Sequence, residues 1–368
     1  MADHSRIALD EVVLYFEKLE DPRSSVNRHH LLVSVVVIAL MAVLAGAAGP
    51  TSIAKWALLK EECLRAHLDL PHGIPGKDVF RRVLMALRPE AFQACFVAWL
   101  TSSRDAATRA KGVDQPILAV DGKTARRSHD RKKGPGALHR VTVWAGEFGL
   151  SLGRMACEEK SNEITAIPEL LKQVDVPGAI LTIDAMGTQK EIATRIVQGK
   201  ADSVLALKGN QETLHRGVIA SIDRQLDGAM AEGEAEEWTT TEKGHGREEK
   251  RIYFQMVAPR SLPGFGRWTG LKTVGMVTSC CVRGGVETIE IRYHLSSLRL
   301  DVRRLARAVR GHWGIENSCH WVLDLIYRED ESRIREKTLR ENFAWINRFS
   351  LSLLKRYPSR DSIAMKRV

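Results

Sequence analysis

Cysteine is scarce in the 368-residue sequence, and its placement argues against a clustered site. The six cysteines are scattered and form no C-x-x-C pair, which disfavours a structural zinc ribbon. The N-terminus lacks a secretory signal, so we expect reduced thiols in a cytosol. The sequence also lacks a G-x-x-x-x-G-K-[ST] loop, so no need for ATP is predicted.

Long hydrophobic runs are equally rare, with one exception. Residues 31–49 carry no charge, and nineteen such residues are nearly enough to span a bilayer. Alanine, glycine and serine dilute the run, and Pro50 would end a helix there. We therefore predict a buried helix, with a transmembrane helix as the alternative.

The charge balance is basic. Lys and Arg total 55 against 45 Asp and Glu, a formal net charge of +10. Such an excess favours a polyanionic partner, either nucleic acid or an anionic membrane surface. With 44% hydrophobic residues, the chain can also build a sizeable core, which argues against global disorder.

Hydrophobic patterning changes along the chain. Helical periodicity dominates at first, then short apolar runs alternate with amphipathic segments, as is typical of a mixed α/β sheet. β-type patterns follow before helical periodicity returns. The predicted segments are a helical N-terminal region (1–110), an α/β core (115–215), a β-rich segment (216–299), C-terminal core helices (300–350) and a basic tail (351–368).

Two acidic residues occupy matching positions. Asp121 and Asp184 each end a predicted strand, and ligand sites of α/β sheets usually form at strand ends. Carboxylates brought together there suit Mg²⁺ or Mn²⁺. The commoner role of a strand-end Asp is a turn or helix cap. A metal site would need a third acid, for which the candidates are Glu316, Asp324, Glu329 and Asp330.

A basic run begins two residues after Asp121. It comprises Lys123, Arg126, Arg127, Arg131, Lys132 and Lys133. Charge runs are usually solvated surface, but the position of this one predicts contact with a DNA backbone passing the metal site.

A competing zinc site is conceivable on one predicted helix. His312, Glu316 and His320 are spaced i, i+4, i+8 and would share a helical face. The spacing differs from H-E-x-x-H, and a tryptophan follows each histidine, as in packed helices.

Several longer motifs resemble one protein family. They are AVDGKTARRS (119–128), EKSNEITAIPELL (159–171), TIDAMGTQKEIA (182–193), LALKGNQETLH (205–215), KGHGREEKR (243–251) and HWGIENSCHWVLDLIYREDESRIR (312–335). On these motifs the chain resembles the H-repeat-associated insertion-sequence transposases, a branch of the DDE transposases. The helical N-terminal stretch is similar to this family's accessory region.

The resemblance implies an α/β, RNase H-like mixed-sheet catalytic core with a β-rich insertion at 216–299. It implies catalytic, metal-holding acids at Asp121, Asp184 and Glu316, with Mg²⁺ or Mn²⁺ as cofactor. Further DNA contacts are expected in the matched motifs, at Lys208, Asn210, His245, Arg247, His312 and His320. The wider superfamily's Y-x-x-R-x-x-x-E-x-x-x-x-x-x-K frame is absent here, because Val309, His312 and Leu323 occupy its positions. Glu329 and Asp330 therefore remain alternatives to Glu316.

The implied function is a DNA transposase that cuts insertion-sequence ends and transfers a 3′-OH strand into target DNA. We expect a homodimer or higher oligomer on DNA, no membrane partner, and a bacterial cytoplasmic, nucleoid-associated location. A metal-dependent nuclease with the same core and an inactive DNA-binding relic of a mobile element are the alternatives.

Overall fold

The computed structural model describes residues 9–111, 115–124, 139–157, 163–228, 234–244 and 246–367. Six predicted DNA contacts lie outside these residues, namely Arg126, Arg127, Arg131, Lys132, Lys133 and His245.

The N-terminal region is helical, as predicted. Its helices are α1 (Leu9–Phe16), α2 (Leu32–Leu44), α3 (Pro50–Leu59), α4 (Glu61–Arg65), α5 (Lys77–Ala86) and α6 (Pro89–Lys111). Phe16, Phe92 and Phe96 form an aromatic cluster with ring centroids 4.7–6.0 Å apart, joining α1 to α6. Such offset and edge-on ring pairs stabilise a helical core.

Helix α2 is the uncharged run that raised the membrane alternative. It is apolar all round, and ten of its thirteen residues are buried in the core, as expected for a helix without a polar face. At 1.5 Å per residue it is about 20 Å long, shorter than the ~30 Å of a hydrocarbon layer. Among the described residues no single helix can span a bilayer by length and composition; only the bent pair Lys77–Ala86 and Pro89–Ser102, which meets at 92°, satisfies that criterion.

A mixed sheet forms the centre of the α/β core. Its strands are β1 (Ile117–Thr124), β2 (His139–Ala145), β3 (Leu150–Cys157), β4 (Ile180–Ile183) and β5 (Asp202–Leu207). β1, β2 and β3 form an antiparallel meander, whereas β4 and β5 are added parallel to β1. Helices α7 (Glu163–Gln173) and α8 (Lys190–Gln198) connect β3 to β4 and β4 to β5. The predicted mixed α/β sheet is confirmed.

The β-rich segment begins later than the sequence patterns indicated. Residue 216 lies inside α9 (Glu212–Asp227), whose buried Leu214, Val218 and Ile222 recur every four residues. Four long strands follow: β6 (Ala235–Gly244), β7 (Arg247–Val257), β8 (Thr273–Arg283) and β9 (Val286–Ser296). β9 pairs with β5, so these strands extend the core sheet to nine strands, in the order β3-β2-β1-β4-β5-β9-β8-β7-β6.

The C-terminal helices close the fold. α10 (Val302–Ile315), a π-helical turn (Glu316–His320) and α11 (Trp321–Leu325) follow one another without a break. The Asp301 carboxylate caps α10 by accepting a hydrogen bond from the Arg304 amide at 2.9 Å. α10 packs on β1 and β4, and α12 (Lys337–Arg356) packs on α2, α5, α6 and β3. The predicted boundary at residue 350 therefore falls inside α12.

Candidate active site

Strand register brings the first two acids to one edge of the sheet. β1 and β4 run parallel, and Val120 with Ile183 is their last pair, so Asp121 and Asp184 come next on the two strands. Asp184 follows the end of β4, as predicted. Asp121 does not end its strand, because β1 continues beside β2 as far as Thr124.

The helix that packs over this edge carries Glu316. A Glu316 oxygen lies 3.2 Å from Nδ1 of His320, and that nitrogen lies 3.5 Å from Oδ2 of Asp121. One ligand atom from each of these three residues lies within 4.8 Å of the others. The imidazole therefore joins an acid on the sheet to an acid on the helix.

Burial and like charge both act on Asp121. Burial raises its pKa to about 6, and Asp184 and Glu316 raise it too, while His320 opposes the shift. The hydrogen bond from His320 lowers the pKa of Glu316, and nearby Lys123 adds to this. A partly buried carboxyl group beside two other acids is a group whose ionised form a cation would stabilise.

The donor set fits a hard divalent cation. Asp121 and Glu316 offer carboxylate oxygens, and Mg²⁺ and Mn²⁺ prefer oxygen ligands. Asp184 lies outside this group of close ligand atoms but lines the same cavity. His320 adds a nitrogen, which Mn²⁺ accepts more readily than Mg²⁺.

The zinc arrangement of His312, Glu316 and His320 does not form. His312 Nδ1 lies 3.0 Å from the Thr182 hydroxyl on β4, and His312 is not part of the ligand group. His312 lies on α10 and contacts β4 through Thr182, whereas His320, at the end of the π-helical turn, contacts Glu316 and Asp121.

Hydrogen bonds hold the segment after Asp184. Its Oδ1 accepts the Gly187 amide at 3.0 Å, and the Thr188 hydroxyl lies 3.1 Å from the Asp184 carbonyl oxygen and 2.6 Å from that of Ala206. The Asn210 amide donates to the Ala185 carbonyl at 2.5 Å. The Asn210 side chain, predicted to contact DNA, is thus bound to this segment.

The backbone at Gly187 leaves no room for a larger side chain. A Cβ added there would lie 2.4 Å from Cγ2 of Ile183, a closer approach than side chains make. We expect Gly187→Ala to destabilise the protein by about 1–3 kcal/mol, the usual effect of overpacking. Thermal unfolding measures this change. Gly209→Ala is the control, because its Cβ meets nothing within 4 Å; equal melting temperatures for the two variants would contradict the prediction.

The other predicted DNA contacts have varied surroundings. Lys208 is exposed and lines a cavity of about 300 Å³ together with Asp121, Asp184 and His312. Lys123 instead forms an ion pair with Asp324. At the start of β7, Nη2 of Arg247 lies 3.6 Å from Oε2 of Glu249.

His320 departs from its predicted role. It is buried, so its imidazole faces Asp121 and Glu316 instead of a surface that DNA could reach. His320 and its neighbour Cys319 are the buried residues of the π-helical turn.

The alternative third acids are occupied elsewhere. The Glu329 side chain is only 8% exposed and lies 3.0 Å from both Arg140 and Arg348. Burial raises its pKa, but the arginines outweigh burial and hold that pKa far below the usual range. Asp324 pairs with Lys123. Among the described candidates only Glu316 joins Asp121 and His320 in the ligand group.

Fold and site together define an α/β protein that gathers acids from sheet and helix at one sheet edge. The chain belongs to the DDE transposases, of the H-repeat-associated kind. Residues 112–353 match the family described as "Transposase DDE domain", and residues 13–100 match "DDE_Tnp_1-associated". The family implies an RNase H-like fold and a divalent metal, so the predicted family and fold class are confirmed.

Similar proteins extend over nearly the whole chain. "Putative transposase YncI" of Escherichia coli O157:H7 is 35% identical over 95% of this chain and 88% of its own length. "H repeat-associated putative transposase YhhI" of Escherichia coli K12 is 32% identical over 94% and 90%. A solved piggyBac transposase synaptic complex with hairpin DNA aligns over 97% of this chain and 73% of that chain, at 10% identity and a TM-score of 0.42, too weak a likeness to carry a conclusion.

Proposed function

We propose that this transposase catalyses divalent-metal-dependent cleavage at insertion-sequence ends, followed by 3′-OH strand transfer into target DNA. The supporting observation is the approach of Asp121 on the sheet and Glu316 on the helix to within 4.8 Å of one another, with Asp184 on the adjacent strand. In this proposal the three acids hold Mg²⁺ or Mn²⁺. His320 contacts Asp121 and Glu316 and keeps their carboxylates facing each other.

The chemistry has two steps. In the first, water attacks a phosphodiester at the element's end, the bond to the 3′ oxygen breaks, and a 3′-OH and a 5′-phosphate remain. In the second, that 3′-OH attacks a target phosphodiester, forming one phosphodiester as another breaks. Bound divalent ions activate the nucleophile and stabilise the leaving oxygen. The protein positions the groups and supplies the acids.

DNA as partner agrees with the charge of the chain. The net charge is +10, and exposed Lys208 lines the cavity that contains Asp121 and Asp184. A transposase acts on two element ends, so we propose a homodimer or higher oligomer on DNA. We also propose that the protein is located at the bacterial nucleoid, where its DNA partner lies.

A gel-based cleavage assay tests the proposal. The substrate is labelled DNA spanning the ends that flank the gene, incubated with Mg²⁺, with Mn²⁺ or with EDTA. A second substrate, already cut to expose the 3′-OH, reports strand transfer. We expect metal-dependent cleavage and transfer. Cleavage without transfer would indicate a nuclease, and DNA binding without cleavage would indicate an inactive relic.

The basic run after Asp121 yields a separate prediction. Charge reversal at Arg126 and Arg127 should flatten the dependence of DNA affinity on salt, by about 0.9 in the logarithmic slope for each phosphate that is no longer neutralised. Fluorescence anisotropy at several salt concentrations measures the slope, with reversal of exposed Arg81 as control. An unchanged slope would mean that the run is only solvated surface.

A further inference from the structure

A second cavity shares no lining residue with the cavity that contains Asp121 and Asp184. It has a volume of about 360 Å³ and is formed by the turn after α11, the first turns of α12 and the start of β2. Five arginines and three acidic residues line it, so the lining carries a net charge of +2. The arginines are Arg140, Arg328, Arg333, Arg335 and Arg340.

The cavity adjoins a buried surplus of positive charge. Arg140, Arg154 and Arg348 are only 5%, 4% and 2% exposed, and they lie around the carboxylate of Glu329. Glu341 is a second acid close to Arg140 and Arg154, so three positive charges face two negative ones. The Nε atoms of all three arginines lack a hydrogen-bond partner within the described part of the chain. Burial lowers the pKa of Arg140 to about 10, which reflects the cost of keeping the charged form there. Buried charges normally have partners.

Two of these arginines, Arg140 and Arg154, share a sheet face with Asp121. Arg140 lies opposite Lys123, and Thr142 lies between Asp121 and Arg154 in the register of β1, β2 and β3. Directly opposed residues of antiparallel strands point to the same face. Neighbouring strands are about 4.8 Å apart, so Arg154 stands about 10 Å from Asp121 across that face.

The mouth of the cavity is accessible and basic. Arg333 and Arg335 are exposed, and neither has an ion-pair partner among the described residues. Of the acids, Glu331 is paired with Arg328 and Glu329 with the buried arginines, which leaves Asp330 as the acid that opposes an incoming anion.

We propose that this cavity binds a phosphate group of the DNA backbone, beside the strand that enters the active site. The proposal rests on the proposed function. A phosphodiester supplies acceptor oxygens for the arginines that line the cavity, among them buried Arg140, whose Nε has no hydrogen-bond partner among the described residues. Arginine binds phosphate through paired N–H donors. Contacts of this kind fix the position of DNA without reading its sequence.

The test uses the full chain carrying Arg333→Gln and Arg335→Gln, because exposed residues can be changed without disturbing the core. Affinity for a labelled duplex is measured against salt concentration. We expect the logarithmic slope to fall by about 0.9 to 1.8, for one or two phosphates that are no longer neutralised. The matched control is Arg81→Gln with Arg224→Gln, also exposed, which should keep the wild-type slope. The double variant Arg333→Lys with Arg335→Lys preserves the positive charges. It should therefore keep most of the wild-type salt slope.

A second measurement separates DNA from free phosphate. Thermal unfolding is followed in phosphate and in chloride at equal ionic strength, and phosphate should raise the melting temperature of the wild type more than that of the glutamine variant. An unchanged salt slope in the glutamine variant overturns the proposal. If phosphate still stabilises through these arginines while the slope is unchanged, the cavity takes free phosphate and the DNA assignment is wrong. If the wild-type protein binds no DNA, the proposed function is wrong. The melting temperatures in phosphate then show whether the cavity binds a phosphate group at all.

Discussion

Glu316→Gln is expected to abolish DNA cleavage while leaving DNA binding nearly unchanged. The amide keeps the size of the side chain and one oxygen, which His320 can still contact, but it removes the charge that a hard cation requires. Substituting residues that only orient metal ligands costs 10- to 100-fold. Loss of a ligand itself should therefore reduce the cleavage rate by more than about 100-fold.

Cleavage rates with Mg²⁺ and Mn²⁺, and affinity by anisotropy, measure the two effects separately. Glu169→Gln is the matched control, because Glu169 forms only a surface pair with Lys172 on α7. The informative comparison is with Glu329→Gln. If Glu316→Gln still cuts DNA and a folded Glu329→Gln protein does not, the third acid belongs to the Glu329–Asp330 pair.

Glu329→Gln is expected to act on stability instead of chemistry. Glu329 is the carboxylate between buried Arg140 and Arg348, and removing one partner of a buried ion pair costs about 3–5 kcal/mol. With an unfolding entropy of ~2.1 cal/mol/K per residue, this lowers the melting temperature by roughly 4–6 °C. Glu61→Gln breaks only the exposed pair with Arg65 and should change stability by less than about 1 kcal/mol.

The pH dependence of this effect has a definite sign. The pKa of Glu329 is depressed in the folded protein. The contribution of the ionised carboxylate to the free energy of unfolding is therefore complete above the ordinary glutamate pKa, and it is lost as the pH falls towards the pKa in the folded protein. The gap in melting temperature between wild type and Glu329→Gln should therefore be constant near neutral pH and narrow below about pH 4. A gap that is the same at about pH 7 and about pH 3.5 would contradict an ionised Glu329 in the fold.

The mixed sheet and the helical N-terminal region could be predicted from the sequence because their signals are local. The apolar run Ile117–Val120 indicates a buried strand by its composition alone. The lack of a polar face in α2 likewise indicates a buried helix. The β-rich segment starts later than predicted because Leu214, Val218 and Ile222 form the buried face of α9, in spite of a glycine at position 217 that disfavours a helix. The joining of β9 to β5 is a pairing between residues about ninety positions apart, which no local pattern specifies.

The surroundings of the candidate site were harder to predict for the same reason. His294 and Arg292 line the cavity beside Asp184 but come from β9, and only the long-range β5–β9 pairing brings them there. Thr182 could have been anticipated, since it lies two residues before Asp184 along β4 and side chains alternate between faces. The arginines around Glu329 gave no local signal, because Arg140, Arg154 and Arg348 stand far apart in the sequence.

The π-helical turn at Glu316–His320 makes the spacing of this segment sensitive to single-residue deletion. A π-helical turn is equivalent to one residue inserted into an α-helix. Deleting Ser318 would let the helix continue with α-helical winding, and α11 would keep its orientation relative to α10, because the turn has absorbed the extra residue locally. The residues inside the turn would move instead: Glu316 and His320 would be three residues apart, about 300° around an α-helix. The extra residue therefore sets how Glu316 and His320 face the sheet, while buried Val322 and Leu323 after it keep their packing.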